Sequence, residues 1–339
     1  MRPRDGLFLG LGLAGFALLA WQFGFAGVAM AFERLRPPVL VLYMVVAAAV
    51  YSGYTLRWLL VSRALGAPSH FGRLLGARLS ADAVGSLLPT ARMAGDPLRV
   101  ALLAGPELRG TLATACVATD RILELIGNIF AVTVYLSLFS LHHTAGERES
   151  AARVMIPVML FLLAALAVPL IMLGRGLRPL AFVERLAARR PGVRLARYAK
   201  LVTETENHLV IFFREHPVVF LAGLMLSLTV EAMIVLQYWL LLAAFGIDVD
   251  PTTLLVAIAL TGAAHVVPTP AGLGALEGAQ VTLFAATAGQ PALGFVVAVV
   301  MRIHETLWIG IGLTILSVRG LPPARLWRNL GKRTGELTT

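Results

Sequence analysis

Two short patterns of helix-breaking and charged residues each occur twice along the sequence. Each copy of the first contains Pro-Thr, a glycine six residues after the proline, and an acidic residue close behind. The prolines and glycines of these turns are Pro89, Gly95, Pro268, Gly272 and Gly274. The acid is Asp96 in the first copy and Glu277 in the second. Because proline and glycine interrupt a helix and leave backbone N–H and C=O groups open, each copy predicts a polar turn.

The second pattern, Arg-x-x-Glu, follows each turn inside an apolar segment. It is Arg121 with Glu124 in the first copy and Arg302 with Glu305 in the second. In both copies, 25 positions separate the acid of the turn from the arginine. Residues three apart share a helix face, so each arginine is expected to contact its glutamate. The same order and the same interval in two segments indicate an internal repeat.

Ionisable residues inside apolar segments are costly and therefore informative. Three further examples are Asp120, Glu231 and His304. A charge at mid-bilayer costs at least about 2.5–3.5 kcal/mol on insertion scales, so such groups are expected to face the protein interior and to find partners. One interpretation is a set of ion pairs, Asp96–Arg121 and Glu277–Arg302, that only hold the turns in place. The other is a polar cavity that accepts the charged or sugar headgroup of a lipid.

Under the cavity interpretation, the substrate-binding residues are the charges of the repeat and the arginines beside its first turn. They are Arg92, Asp96, Arg99, Arg121, Glu124, Glu277, Arg302 and Glu305. Helix N-termini exposed at such turns attract anions such as phosphate. Arg92 and Arg99 could add a bidentate phosphate contact. Arg99 could equally snorkel to lipid headgroups at the cytoplasmic surface.

The elements that carry these residues are predicted to be transmembrane helices. Of the 339 residues, 58% are hydrophobic and only 14% charged, with a mean hydropathy of +0.80. Soluble proteins carry about 25% charged residues, so a cytosolic enzyme is disfavoured. Apolar runs near the roughly 20 residues that a spanning helix needs cover 7–30, 38–61, 111–141, 154–174, 217–245 and 291–317. The sequence predicts an all-α polytopic membrane protein with about six full spans, the first too long to be a signal peptide.

Two further apolar stretches, 79–110 and 252–289, are interrupted by the Pro-Thr-Gly turns. Interrupted helices at corresponding places in two halves of a chain are typical of transporters whose binding site lies between inverted repeats. We therefore expect one integral membrane domain, 1–339, with an inverted repeat of halves 38–141 and 217–317. Each half would contain one re-entrant segment.

The distribution of positive charge predicts the orientation. The loop 175–216 holds nine Lys/Arg and the tail 319–339 holds five, whereas 246–251 carries only two aspartates. Excess Lys/Arg marks cytoplasmic segments, so both termini are expected in the cytoplasm and 246–251 outside. Apolar residues at helical spacing from Leu195 to Phe212 predict a helix in the headgroup plane. A cytoplasmic helix packed on the bundle is the alternative.

Cysteine and histidine give little indication of metal chemistry, and no cofactor is expected. The single cysteine, Cys116, lies in an apolar run, and His142 and His143 have no acid or cysteine at a metal-ligand spacing. His265 and His304 lie in or near the repeat and could couple transport to protons, although a satisfied buried histidine is the other interpretation. The formal net charge of +10 favours membrane lipids, including anionic ones, over nucleic acid as partners.

The run 88–99, Leu-Pro-Thr-Ala-Arg-Met-Ala-Gly-Asp-Pro-Leu-Arg, resembles the first signature of the lysylphosphatidylglycerol synthase transmembrane-region family. The run 268–277 is similar to the family's Pro-Gly-Gly-x-Gly-x-x-Glu turn, with Ala271 where glycine is usual. In the first run Asp96 stands where glutamate is common. The resemblance implies membrane lipid translocation or export. The family includes the lipid-flipping part of the multiple peptide resistance factor and members associated with hopanoid biosynthesis.

These observations favour a lipid flippase or transporter without covalent chemistry. Its substrate would be a phospholipid, aminoacylated lipid, glycolipid or hopanoid crossing the bacterial inner membrane. A membrane transferase acting on a lipid-linked substrate and a non-catalytic partner of a lipid-synthesis pathway are the alternatives. The aminoacyl-transferase domain of bifunctional family members is a long soluble extension, whereas only 319–339 follow the last span, so synthase activity is not expected. No ATP site is recognisable, so transport would be passive or use an ion gradient.

Overall fold

The structure is a computed structural model that describes residues 18, 21–22, 35–88, 94–104, 108–142, 147–189, 193–267 and 269–319. Eleven α-helices and one 3-10 turn make up the helical structure of these residues. Five of the helices are long and apolar enough to cross a membrane. The protein is therefore an all-α polytopic membrane protein, as the sequence predicts. The predicted span 7–30 lies outside the described residues.

The helices are numbered here in chain order. The first six are α1 (Pro37–Ala64), α2 (Phe71–Leu87), α3 (Gly95–Leu103), α4 (Gly110–His142), α5 (Glu147–Gly174) and α6 (Ala181–Arg189). The others are α7 (Val193–Glu215), α8 (Pro217–Ala244), α9 (Pro251–Val266), α10 (Ala275–Ala288) and α11 (Pro291–Val318), and the 3-10 turn is Pro270–Gly272. The five candidate spans lie in α1, α4, α5, α8 and α11, which are the predicted spans to within a few residues except that α5 begins earlier.

Proline marks the start of the long apolar helices. Pro37, Pro217 and Pro291 each stand in the first turn, where a missing N–H costs no helical hydrogen bond. α9 also begins with a proline, and the Asp250 carboxylate before it accepts a hydrogen bond from the Thr253 N–H at 2.9 Å. These ends are set locally, so the sequence locates them well.

The chain divides into two compact units, which are described separately. The first unit comprises Arg36–Phe71 and Val100–Ala259. The second comprises Met1–Leu35, Gly72–Arg99 and Leu260–Thr339.

In the first unit, α1 and α8 pack against each other in opposite directions. The Arg36 N–H at the start of α1 donates to Ala244 O at the end of α8, at 2.8 Å. Near their middles, a Cβ added to Gly53 would come within 2.6 Å of the Val230 side chain, so the backbones approach closely. Opposite directions of these two helices are what the predicted inverted halves require. Which ends face the cytoplasm stays a prediction.

α4 runs parallel to α8 in the same unit. Gly223 of α8 faces Leu123 of α4, where a Cβ would meet the leucine at 2.7 Å. One turn further along both helices, a Cβ on Gly127 would meet Ser227 at 2.8 Å. Small residues therefore let the polar side chains of these two helices reach across a short gap.

The basic loop between α5 and α8 folds as two helices of the first unit. Glu206 of α7 is buried and accepts a hydrogen bond from Arg178 Nε at 3.2 Å. Phe212 of α7 is fully buried and packs with Val61 and Leu123. The C-terminal half of α7 thus fits the alternative of a helix packed on the bundle. Contact of the N-terminal half with lipid headgroups stays a prediction.

In the second unit, α10 and α11 form an antiparallel hairpin. A Cβ added to Gly294 near the start of α11 would come within 2.3 Å of Gln280 O in α10. The Gly289 backbone, at φ 65°, lies in the left-handed region and ends α10. This tight hairpin fixes the charged face of α11 against α10.

α2 packs antiparallel on α11. Ser80 Oγ donates to Gly312 O at 3.2 Å, and Arg319 Nη2 donates to Arg73 O at 3.3 Å. α2 begins at Phe71, whereas the predicted apolar stretch 79–110 begins eight residues later. The first turns of α2 carry arginines that lower the local hydropathy, so hydropathy places the start too late.

Candidate functional site

A buried arginine organises the charges of the first unit. Arg57 of α1 is 1% exposed. Its Nε–H donates to Asp120 Oδ1 and its Nη2–H to Glu124 Oε2, both at 2.8 Å. Its Nη1–H donates to Ser227 Oγ of α8 at 3.0 Å. Helices α1, α4 and α8 therefore meet at one guanidinium.

The acids of this cluster lie one turn apart on α4, so they share a face. Glu124 also accepts a hydrogen bond from Arg121 Nη1 at 2.5 Å, which is the contact that the Arg-x-x-Glu pattern predicts. The Asp120 side chain is fully buried, whereas that of Arg121 is 29% exposed. Glu124 thus connects a buried arginine to a more accessible one. We call Arg57, Asp120, Arg121, Glu124 and Ser227 the Arg57 network.

Polar side chains extend this network along α4 and α8. With its amide oriented to satisfy both neighbours, Asn128 donates to Glu231 Oε1 at 2.6 Å and to Glu124 O at 2.9 Å. Ser227 Oγ lies 3.0 Å from Gly223 O and 3.1 Å from Leu123 O. Buried polar atoms in an apolar bundle need such partners, because lipid offers none.

A second arginine organises the charges of the second unit. Arg302 of α11 donates hydrogen bonds to both carboxylate oxygens of Glu277, from Nε to Oε1 at 2.6 Å and from Nη2 to Oε2 at 3.2 Å. Its Nη1–H donates to Glu305 Oε2 at 2.7 Å and to Ala271 O at 2.5 Å. Arg302 therefore ties α10, α11 and the 3-10 turn together. A two-pronged guanidinium–carboxylate contact of this kind is strong and directional.

The turn itself explains its glycines. Gly272 and Gly274 have φ of 68° and 81°, in the left-handed region that favours glycine. A Cβ on Gly272 would also come within 2.9 Å of Ala264 O in α9. Glu277 Oε2 accepts the Gly274 N–H at 2.8 Å and so caps α10.

Ala271 has a φ of 53°, which is uncommon for a residue with a side chain. It stands where glycine is usual in the pattern that the sequence resembles. The carbonyl of Ala271 is the one that Arg302 holds, so the ion pair and the unusual backbone support each other.

A histidine joins this second cluster from α9. His265 Nε2 lies 3.5 Å from Glu305 Oε1, and His265 Nδ1 lies 2.8 Å from Thr261 O. Gln280 Nε2 of α10 donates to Thr261 Oγ1 at 2.9 Å, which links α10 to the same stretch of α9. We call His265, Glu277, Arg302, Glu305 and the Ala271 carbonyl the Arg302 network.

Three residues predicted for the two turns, Pro89, Arg92 and Pro268, lie outside the described residues. A Cβ on Gly95 would come within 2.5 Å of Ala81 O, so this position requires glycine. Arg99 is buried, with Nη1 3.5 Å from Asp96 Oδ1, rather than extended towards headgroups.

The structure contains the predicted pair Glu277–Arg302 and both Arg-x-x-Glu contacts. The pair Asp96–Arg121 stays a prediction. Sequence reasoning missed Arg57 altogether. The signal was a charge imbalance: the apolar spans of α4 and α8 carry Asp120, Glu124 and Glu231 against one arginine, while α1 carries two arginines and no acid.

Within the described parts of the chain, no group of three or more His, Cys, Asp or Glu side chains could hold a metal ion. What both networks offer is guanidinium and carboxylate groups inside apolar helices. Guanidinium groups bind phosphate and carboxylate through paired hydrogen bonds, and buried carboxylates can accept hydrogen bonds from hydroxyl or ammonium groups.

Long apolar helices, a glycine-rich turn between the short helices α9 and α10, and two internal arginine–carboxylate networks define a polytopic integral membrane protein. The family model described as "Lysylphosphatidylglycerol synthase TM region" matches residues 6–313. The chain therefore belongs to this family.

A relative supports the same assignment. The chain is 23% identical over 330 residues to a "UPF0104 membrane protein" of Methanothermobacter thermautotrophicus, a match that covers 95% of this chain and 96% of that protein. No solved structure matches the chain at a significant level.

Proposed function

We propose that this protein is a lipid transporter that moves a lipid with a polar headgroup across the bacterial inner membrane, without covalent chemistry. The observation that carries the proposal is the pair of arginine–carboxylate networks inside apolar helices. Ionisable groups at that depth are expensive, and in membrane proteins they mark pathways for polar substrates. The family to which the chain belongs is consistent with such a role.

The Arg57 network supplies the contact that we assign to the headgroup. Arg57 is enclosed by its partners, whereas the Arg121 side chain is 29% exposed and has Glu124 on one side. Glu124 contacts both arginines, and Arg121 is the more exposed of the two. A guanidinium that is partly exposed beside a carboxylate is the one in the network best placed to contact a lipid phosphate.

The turn of the second unit supports the same proposal. Its backbone is irregular between Pro270 and Gly274, and irregular backbone at membrane depth is tolerated where it is buried in protein or lines a polar cavity. Arg302 and Glu277 hold it in one conformation. We propose that this turn is re-entrant from outside, that its counterpart at Gly95 is re-entrant from the cytoplasm, and that both termini are cytoplasmic.

The test is lipid scrambling in reconstituted vesicles with the variant Arg121→Gln. The probe is fluorescent phosphatidylglycerol, whose movement is followed by quenching from outside. We expect scrambling to fall by about tenfold or more, because a hydrogen bond to a charged group contributes about 1.5–3 kcal/mol. The melting temperature in detergent should change little, since Glu124 keeps Arg57 as its partner.

Arg63→Gln is the matched control. Arg63 is an exposed arginine near the end of α1, so this variant removes the same charge outside the network and should leave scrambling unchanged. Scrambling by Arg121→Gln at the wild-type rate would remove Arg121 from the substrate site. Absence of scrambling by the wild-type protein, across phosphatidylglycerol, aminoacylated lipid, glycolipid and hopanoid probes, would overturn the proposed function.

A further inference from the structure

We propose that His265 is a proton-binding site that controls the second turn through Glu305 and Arg302. The conformation of this turn depends on the hydrogen bond from Arg302 to Ala271 O. A proton on His265 would change the charge that Glu305 experiences, and Glu305 shares Arg302 with the turn. The ligand of this site is H⁺ taken from water.

The ring orientation defines which nitrogen binds the proton. His265 Nδ1 lies 2.8 Å from Thr261 O, and a carbonyl oxygen can only accept a hydrogen bond, so Nδ1 carries a hydrogen. In neutral imidazole Nε2 is then a bare lone pair, and it lies 3.5 Å from a carboxylate oxygen of Glu305. That contact is repulsive for the neutral ring and attractive once Nε2 is protonated. Nε2 is therefore the nitrogen at which a second proton would bind.

The surroundings of His265 support the same conclusion. From α11, Glu305 contacts it, and Glu305 is in turn held by Arg302, which also holds Glu277 of α10. On its own helix, α9, His265 is the one titratable residue. It lies in the last turn of that helix, where the dipole favours a positive charge. Among the side chains of the Arg302 network, two carboxylates face one guanidinium, and a proton on His265 makes two charges of each sign.

The site is also partly exposed and touches the turn. The His265 side chain is 19% exposed. Gly272 packs so closely on the end of α9 that a Cβ there would lie 2.9 Å from Ala264 O and 3.6 Å from His265 Cα. A proton at Nε2 would thus strengthen the contact between α9 and α11 on which the turn rests.

The first experiment measures the proton-dependent contact without any lipid. Melting temperatures of the full-length protein in detergent are compared at pH 5.5 and pH 8 for wild type, His265→Asn, Glu305→Gln and the double variant. A double-mutant cycle isolates the interaction of the two side chains. We expect a coupling of about 2–4 °C at pH 5.5, the shift typical of one modest ion pair in a chain of this size, and none at pH 8.

His70→Asn combined with Glu305→Gln is the control cycle, because His70 is an exposed histidine outside the Arg302 network. It should show no coupling at either pH. Asparagine is chosen for His265 because its amide can still donate near Thr261 O but cannot take up a proton, and His265→Gln repeats the cycle with a longer amide. Equal coupling at both pH values, or none at either, would overturn the proton site.

The second experiment tests coupling to transport and rests on the proposed function. Scrambling of fluorescent phosphatidylglycerol is measured in vesicles across pH 5.5 to 8. We expect the wild-type rate to change at least about threefold over this range, a factor well resolved by the assay and equivalent to less than 1 kcal/mol. The His265→Asn rate should stay constant.

The two proposals fail in different ways. A pH-dependent coupling in detergent together with no lipid movement by the wild type would support the proton site and overturn the lipid transporter. Lipid movement at one rate at every pH, with His265→Asn identical to wild type, would support the transporter and overturn the coupling to protons.

Discussion

The guanidinium of Arg57 is shared between two carboxylates and a hydroxyl that come from two other helices. An ion in this position is costly to bury, and the cost is offset only when all its hydrogen bonds are made. Its ring neighbour Tyr54, whose centroid lies 5.1 Å from the guanidinium carbon, adds a cation–π contact. The network therefore fixes how α1, α4 and α8 pack, with the partly exposed Arg121 at its edge.

Replacing Arg57 should therefore act mainly on the stability of the fold rather than on transport. Arg57→Gln leaves Asp120 and Glu124 with one fewer positive partner in a buried site, and breaking a buried pair typically costs about 3–5 kcal/mol. We expect a large drop in the melting temperature in detergent. Arg121→Gln should cause a far smaller drop, because Arg121 is partly exposed. Similar stability of the two variants would mean that Arg57 is not the organising residue.

Asp250 gives a stability prediction outside the apolar spans. Burial by itself would raise the pKa of this carboxyl, but hydrogen bonds from the hydroxyls and backbone N–H groups of Thr252 and Thr253 outweigh it and lower the pKa from 3.8 to about 2. The charged form is thus favoured in the folded protein. Its contribution to stability is present above pH 4 and is lost as the pH falls towards 2.

Asp250→Ala should accordingly destabilise the start of α9 at neutral pH by about 0.5–2 kcal/mol, the usual cost of losing an N-cap. The difference between wild type and variant, measured by thermal unfolding in detergent, should shrink as the pH falls from 4 to 2. A difference that stays constant down to pH 2 would show that the charge of Asp250 contributes nothing.

The sequence predicts half of the charged site and misses the rest for a physical reason. Glu277, Arg302 and Glu305 are found because their spacing can be read within one stretch of sequence and recurs in the other copy of the repeat. Arg57 finds its partners 63 and 67 residues away, and no local pattern encodes that distance. An arginine near the end of an apolar span also has an ordinary explanation in snorkelling, so only the excess of acids elsewhere signals that it is buried.

At the scale of helices, the apolar spans are predicted closely because length and hydropathy are properties of the segment itself. α1, α4, α8 and α11 begin and end within about one turn, 3.6 residues, of the sequence-based limits. α2 begins earlier than predicted because Arg73 and Arg78 lower its hydropathy, yet Arg78 is buried with Nε 3.7 Å from Asp82. Its packing on α11, which no local signal shows, is what brings this charged turn into the protein.

Close helix contacts in the second unit lead to a prediction with a matched control. A Cβ at Gly294 would lie 2.3 Å from the backbone oxygen of Gln280, so Gly294→Ala must push α10 and α11 apart. We expect a loss of about 1–3 kcal/mol, typical of overpacking. Gly310→Ala, on the same helix with no atom near its Cβ, should be neutral or stabilise by up to about 1 kcal/mol. Thermal unfolding in detergent compares the two, and equal effects would contradict the close packing of the hairpin.

At the scale of the whole molecule, the helix directions within each unit constrain the topology without fixing its absolute orientation. In the first unit, α1 is antiparallel to α8, and α4 is parallel to α8. These directions are unchanged if the protein is turned upside down in the membrane. The hydrogen bonds and packing are the same in both orientations. Only the distribution of Lys/Arg between loops distinguishes the two sides of the membrane.

The absolute orientation can be tested with single cysteines. Cys116 is fully buried, and Cys116→Ala provides a background without a native thiol. Arg185→Cys probes the basic stretch between α5 and α8, and Asp248→Cys probes the acidic loop before α9, both at exposed positions.

In intact cells, a membrane-impermeant maleimide should label only Asp248→Cys, and Arg185→Cys should react only after the membrane is opened. Among the described residues between the two positions, α8 is the one candidate span, so the positions are expected on opposite sides if α8 crosses the membrane. Labelling of both from the same side would contradict a spanning α8 and with it the inverted halves, whereas labelling of Arg185→Cys alone in intact cells would reverse the predicted orientation and leave the fold intact.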